Sequence, residues 1–192
     1  MDSRSVLIFI DGGYLSKISK HFGRGKHLKL DLLQFSEYLA TKIGLHAEHI
    51  FYYNAPPFQS NIPTPHELLM KKGYTSFIEK LKNITKISVR EGRVQRIGNT
   101  YIQKGVDTLL TMDLFQEPLA RNIKTIILIA ADTDFVPVLN QLRKKDRINV
   151  ILYYFTDRKR NSLFSMSNHL LTACDSKILL CESDFLTNLI RN

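Results

Sequence analysis

Two short apolar runs decide most of what this chain can become. Val6-Leu7-Ile8-Phe9-Ile10 and Thr125-Ile126-Ile127-Leu128-Ile129-Ala130 carry apolar side chains at nearly every position. A strand with one wet face alternates apolar and polar residues, whereas an unbroken run marks a strand covered on both faces. Both runs end in acids: Asp11-Gly12-Gly13 follows the first, and Ala131-Asp132-Thr133-Asp134 the second. Strand-like and helix-like patterns alternate along the chain, which predicts an α/β fold with a mainly parallel central sheet and helices on both faces.

The remaining elements follow from local chemistry. Helices are expected from about Tyr14 and over Asp31 to Ile43, with a strand over His49 to Asn54. Ala55 to Pro65 holds four of the six prolines and reads as a loop. It ends in Thr64-Pro65-His66-Glu67, where Thr64 can cap a helix, Pro65 can open it and Glu67 can close a capping box. That helix is expected to reach about Lys82. Ile84 to Arg90 and Thr100 to Gln103 read as strands with a hairpin between, Gly98-Asn99 supplying the turn. Val106 to Leu119 is expected to be helical, with Val106, Leu109, Leu110, Met112 and Phe115 on its apolar face. Asp134 to Lys145 reads as a helix that tolerates Pro137 in its first turn. Ile148 to Tyr154 is a strand, Ser162 to Ala173 a helix, Lys177 to Leu180 a strand and Ser183 to Ile190 a last helix.

A chain of 192 residues suits one domain spanning residues 1–192. A chain of this size buries about 70% of its unfolded surface, so it needs no disulfide or metal staple. No apolar run approaches the roughly 18 residues of a membrane span, and no secretory leader pattern is present. Membrane partners are therefore not expected. Cys174 and Cys181 are the only cysteines, too few for a zinc site or a disulfide framework. Two reduced thiols suit the cytoplasm. The net charge of +9 invites an anionic partner, nucleic acid first. A basic surface kept only for solubility is the plainer alternative. Nothing in the pattern fixes an oligomeric state.

Acids at the junctions between elements are the candidates for chemistry. Asp11 and the Asp132/Asp134 pair follow the two buried strands, and Asp107 opens the helix after Lys104-Gly105. Ligands of open parallel sheets bind beyond the carboxyl ends of the strands, so adjacent strands would bring these acids together. Each acid also has a structural reading. Asp11, and either Asp132 or Asp134, can cap a helix. Asp107 can meet a helix dipole. Asp-Thr-Asp supplies one cap and leaves a second acid unexplained. Carboxylates gathered in a basic protein suit a hard divalent cation, which reverses their repulsion of phosphate. Asp113 lies on the following helix, where a buried salt bridge and an outer role at a metal are both open. Arg90, Arg93, Arg96 and Lys104 are candidate RNA contacts. The clusters Arg143, Lys144, Lys145, Arg147 and Arg158, Lys159, Arg160 are further basic candidates, though most charge runs are simply solvated. Tyr52, Tyr53 and Tyr101 are candidates to stack on bases, with core packing the alternative. The six histidines show no metal spacing.

Phe9-Ile10-Asp11-Gly12, Lys104-Gly105-Val106-Asp107 with Asp113 beyond, and Ala131-Asp132-Thr133-Asp134-Phe135 together resemble the NYN domain, a branch of the PIN-like nucleases. The likeness is to its LabA-like members and covers about residues 5 to 155. It implies a PIN-like three-layer α/β/α fold and metal-dependent hydrolysis of RNA. By motif position it implies that Asp11, Asp107, Asp132 and Asp134 hold Mg²⁺ or Mn²⁺, with Asp113 and Thr133 in supporting places. Two positions depart from the pattern: Tyr14 stands where many members have Asn, and Ala131 where Gly is usual. The expected function is a metal-dependent ribonuclease, its rival a non-catalytic RNA-binding or regulatory module on the same fold.

Overall fold

The structure is a computed structural model that describes residues 4–98, 100–157 and 164–190. Strands β1 (Ser5–Asp11), β2 (His46–Asn54), β3 (Ile87–Glu91), β6 (Thr125–Ile129), β7 (Asn149–Tyr154) and β8 (Ser176–Leu179) form one six-stranded sheet in the order β3-β2-β1-β6-β7-β8. Every pairing in it is parallel. Strands β4 (Arg93–Ile97) and β5 (Thr100–Lys104) make a separate antiparallel hairpin. The helices are α1 (Gly12–Phe22), α2 (Leu32–Thr41), α3 (Pro65–Lys82), α4 (Val106–Ala120), α5 (Val136–Lys144), α6 (Asn168–Thr172) and α7 (Glu182–Leu186).

The buried runs sort onto two faces by the two-residue period of a strand. Val6, Ile8 and Ile10 of β1 join Ile127, Ile129, Ile50 and Tyr153 on one face, packed by Leu15, Ile18, Phe35, Leu39 and Phe185 from the helices. Leu7 and Phe9 turn the other way, with Phe51, Leu128 and Leu152, against Leu110, Leu114, Leu139 and Leu142. The result is the expected three-layer α/β/α arrangement. Phe9 and Phe51 stack across β1 and β2 at 5.0 Å with only 11° between ring planes. Such a pair adds about 0.5–1.5 kcal/mol to the burial of its area.

Caps fix where helices begin. Asp31 accepts from the Gln34 N–H at the start of α2. Thr64 and Glu67 complete the capping box of α3, with Pro65 in its first turn. Gly12 admits β2 at close range: a Cβ there would sit 2.6 Å from the Tyr52 ring and 2.7 Å from the Tyr53 carbonyl oxygen.

Several expected elements differ. The strand expected over Ile84 to Arg90 is Ile87–Glu91, and it joins the main sheet beside β2. The hairpin instead pairs Arg93–Ile97 with Thr100–Lys104. Gly98 has a positive φ of 60°, and Asn99 lies outside the described residues. On α4, Met112 and Phe115 face outward, 50% and 44% exposed, while Val106, Leu110, Asp113, Leu114 and Pro118 form the buried stripe. The helix expected from Asp134 begins with a 3₁₀ turn, Thr133–Phe135, before α5. The helix expected from Ser162 begins at Asn168, capped by the Ser167 hydroxyl, and Ser162 itself lies outside the described residues. The last helix ends at Leu186, after which Leu189 bridges to Leu30.

Candidate functional site

Strands β1 and β6 are neighbours, with Leu7 opposite Ile126 and Ile10 opposite Ile129. Chain order runs outward from this pair in both directions, to β3 on one side and β8 on the other. Such a switch point opens a crevice at the carboxyl ends of the strands. Asp11 closes β1 at that edge, and Asp132 follows β6 by way of Ala130 and Ala131. Asp107 arrives there from the first turn of α4.

Local hydrogen bonds set the acids. Asp11 Oδ1 accepts from the Gly13 N–H at 2.9 Å and the Tyr14 N–H at 3.1 Å, capping α1. Asp132 Oδ1 accepts from the Asp134 N–H at 2.9 Å and opens the 3₁₀ turn. Both capping readings are therefore correct for one oxygen of each acid. Gly105 stands at the start of α4 with φ of 82° and offers no side-chain cap. Asp107 and Asp134 are exposed. Burial raises the Asp11 pKa, and the charge of Asp107 raises it further. Burial, then Asp132 and Asp134, raises that of Asp107. Asp107 thus interacts with each of the other three acids, yet among the described residues no three His, Cys, Asp or Glu are grouped closely enough to hold a metal.

A cleft of about 440 Å³ lies against Asp11, Asp132 and Thr133. Its other walls include Lys17, Ser165 and Ser167, which the sequence did not single out. The charge of Lys17 acts to lower the Asp11 pKa, against burial. Its signal was available only once α1 was known, as a cation on the turn following Tyr14.

Asp113 belongs elsewhere. It is buried, and its Oδ2 accepts from the Tyr53 hydroxyl at 2.9 Å. Arg90 grips both its oxygens, Nε at 2.9 Å and Nη2 at 3.3 Å. Of the two readings of Asp113, the salt bridge is the one present. Burial and the Asp113 charge push the Tyr53 hydroxyl far above its ordinary pKa, so it remains a donor. Arg90 is thereby tied to α4, whereas Arg93, Arg96 and Lys104 lie exposed on the hairpin. Tyr52 and Tyr53 are core residues, and Tyr101 alone of the three stacking candidates faces solvent. Arg143 binds Asp175 and the Thr172 carbonyl. Arg158, Lys159 and Arg160 lie outside the described residues.

A sequence profile of the NYN domain matches residues 5–181, nearly the whole chain. The chain belongs to the NYN domain family. Members of this family are generally hydrolytic nucleases of PIN-related fold that act on RNA. Among solved structures, a protein of unknown function from Vibrio parahaemolyticus is similar, with 16% sequence identity and a TM-score of 0.62. That likeness spans 96% of this chain and 98% of the other, and it shows a shared fold. No curated protein matches in sequence. Among the described residues, no helix of this NYN domain is long and apolar enough to cross a membrane.

The family position usually held by Asn has a defined task here. Tyr14 donates from its hydroxyl to the Phe155 carbonyl at 3.3 Å and accepts from the Phe155 N–H at 2.8 Å. It ties α1 to the chain just past β7, and burial pushes its pKa up to about 12.

Proposed function

We propose that this NYN domain is a metal-dependent ribonuclease whose Asp11, Asp107, Asp132 and Asp134 hold Mg²⁺ or Mn²⁺ at the carboxyl edge of β1 and β6. The observation that carries this reading is a contrast in pairing. The buried acids Asp113 and Asp184 each have a cation, Arg90 and Lys42 respectively. Among the described residues, none of the four edge acids forms an ion pair. Asp107 faces the charges of Asp132 and Asp134, and Lys17 acts on Asp11 through its charge without forming an ion pair.

Hard carboxylate oxygens suit Mg²⁺ or Mn²⁺. Mg²⁺ keeps several waters and takes as few as one or two protein carboxylates plus substrate phosphate. Among the described residues no three of these acids are grouped closely enough to hold one ion, so each cation would rest on one or two of the four carboxylates and keep most of its waters. When bound, the cation supplies charge neutralisation at the phosphate and a more acidic water. The chain's own residues do the positioning. The helix caps fix Asp11 and Asp132 through one oxygen each, leaving the other without a hydrogen bond among the described residues. Lys17 lines the same cleft, and its positive charge suits a backbone phosphate. The exposed hairpin cations and the +9 charge support attraction of RNA, weakening with salt as counterions are released.

A second reading, an RNA-binding module without turnover, draws on the same lack of a closed acid cluster. Asp132→Asn separates the two. Asn caps as well as Asp, so the fold should survive. Mn²⁺-dependent cleavage should fall by roughly 10²-fold or more, as when an electrostatic contact to a charged transition state is removed. RNA affinity in chelator should hold or rise. Full cleavage by the purified variant would remove Asp132 from the site, and a wild type that binds RNA without ever cleaving it would establish the module.

A further inference from the structure

A second cleft, of about 410 Å³, lies between the proline-rich loop, the start of α3 and the hairpin. Its volume falls among small-molecule sites, roughly 300–1,000 Å³. Phe58, Met70, Val94 and Tyr101 make its walls largely apolar. Phe58 and Tyr101 meet at 5.2 Å with ring planes tilted by 51°, and Tyr101 stays 55% exposed. The Arg96 guanidinium lies 6.0 Å from the Tyr101 ring centre, its Nε–H donating to the Gly98 carbonyl at 2.9 Å. Two planar groups, one aromatic and one cationic, are thus presented side by side in solvent. The carboxylate of Glu67 borders the cleft, but it is engaged by Ser60, by the Thr64 N–H and by the Thr64 hydroxyl.

Register links this cleft to the acids. Val94 pairs with Gln103 and Arg96 with Tyr101, so all four side chains share one face of the hairpin. Gln103 borders the cleft, and its Oε1 lies 3.5 Å from where a Cβ on Gly13 would be, a point only 3.2 Å from Asp11 Oδ1. The same hairpin face therefore runs from the aromatic cleft to the first acid. Arg93 and Lys104 stand directly opposite each other on the hairpin's other face. Like charges so placed repel, and an anion relieves them. A polymer that carries phosphates beside planar bases matches this combination.

We propose that the cleft takes one unstacked base of single-stranded RNA, stacked on Tyr101 with Arg96 alongside, while the RNA backbone continues past Gln103 to the edge acids. The assignment rests on the RNA reading above. Base stacking on aromatic side chains tolerates any sequence and is worth roughly tenfold in affinity per base. Duplex RNA, its bases already stacked, gains nothing from the cleft.

The test compares a labelled oligouridine with an abasic ribose-phosphate chain of equal length, by fluorescence anisotropy in chelator. The wild type should prefer the oligouridine by roughly tenfold. Tyr101→Ala should erase that preference and leave affinity for the abasic chain unchanged, and Tyr101→Trp should restore it. Equal affinity of the wild type for both chains overturns the proposal. So does a Tyr101→Ala loss that is equal for both, or a change of Tyr101→Ala from dimer to monomer in sedimentation with RNA affinity intact. The two readings fail separately. A wild type with the base preference but no Mn²⁺-dependent cleavage keeps the cleft and loses the nuclease. Cleavage without base preference does the reverse, and no RNA binding at all overturns both.

Discussion

Two acids on one helix meet opposite fates. Asp113, on the buried side of α4, is held by Arg90 and the Tyr53 hydroxyl. Asp107, in the first turn, faces other carboxylates and has no cation among the described residues. The inward acid is fully bonded because an unpaired charge there would cost several kcal/mol. The outward acids repel one another, which is tolerable in water and useful only if a cation or its equivalent arrives. On this one helix, the cation of Arg90 separates the scaffold acid from the edge acid.

The largest effect should come from breaking the satisfied group. Asp113→Ala leaves Arg90 and the Tyr53 hydroxyl facing a gap. The expected loss is about 2–3 kcal/mol, below the 3–5 kcal/mol of a fully buried pair because Arg90 keeps solvent on one side. Urea denaturation reads it, and cleavage per folded molecule should be unchanged. Lost cleavage at full stability would move Asp113 into the acid site.

A middle effect is expected at Tyr14, which lines the acid cleft but is bonded like the scaffold. Tyr14→Phe strips the buried Phe155 N–H and carbonyl of their partner. Leaving such groups unsatisfied costs about 1–3 kcal/mol. Unchanged stability would mean that water replaces the hydroxyl and that the site reaches deeper than Tyr14.

The smallest effect has the opposite sign. The Asp107 pKa is raised, so the folded state holds its proton more tightly than the unfolded chain does. Stability from this group falls as pH climbs from about 3.9, the unfolded value, through the folded one. Asp107→Asn should therefore stabilise the metal-free protein at neutral pH. The gain should stay under ~1 kcal/mol, a rise in Tm of up to about 3 °C. It should vanish near pH 3.5, where the carboxyl is protonated anyway. No gain at neutral pH would show that the edge acids are already neutralised, and saturating Mn²⁺ should reverse the sign by favouring the wild type.

What the sequence revealed divides along the same line. The buried strands β1 and β6 were readable because both their faces are apolar. The Thr64–Glu67 box was readable because a cap is a local event. Asp11 and Asp132 could be named, but their adjacency needed the strand order, which no local pattern encodes. The buried face of α4 was misjudged at Met112 and Phe115, which point outward, and the salt bridge of Asp113 could be read only as one of two options because its partners Arg90 and Tyr53 lie on remote strands. The hairpin strand Arg93–Ile97 was hidden because neither of its faces is fully covered, so cations interrupt its alternation. Lys17 and Gln103 gained meaning only from the walls they form.

The strand order also has a consequence during synthesis. Strand β2 leaves the ribosome soon after β1 and can cover one edge of it. The other edge waits for Ile126 to Ile129, its partners in the finished sheet. Until then Leu7 to Ile10 present unpaired backbone between apolar side chains, the pattern that templates pairing with another chain. A nascent chain stalled between β2 and β6 is thus the form of this molecule most exposed to aggregation, and the stage at which a chaperone has most to shield.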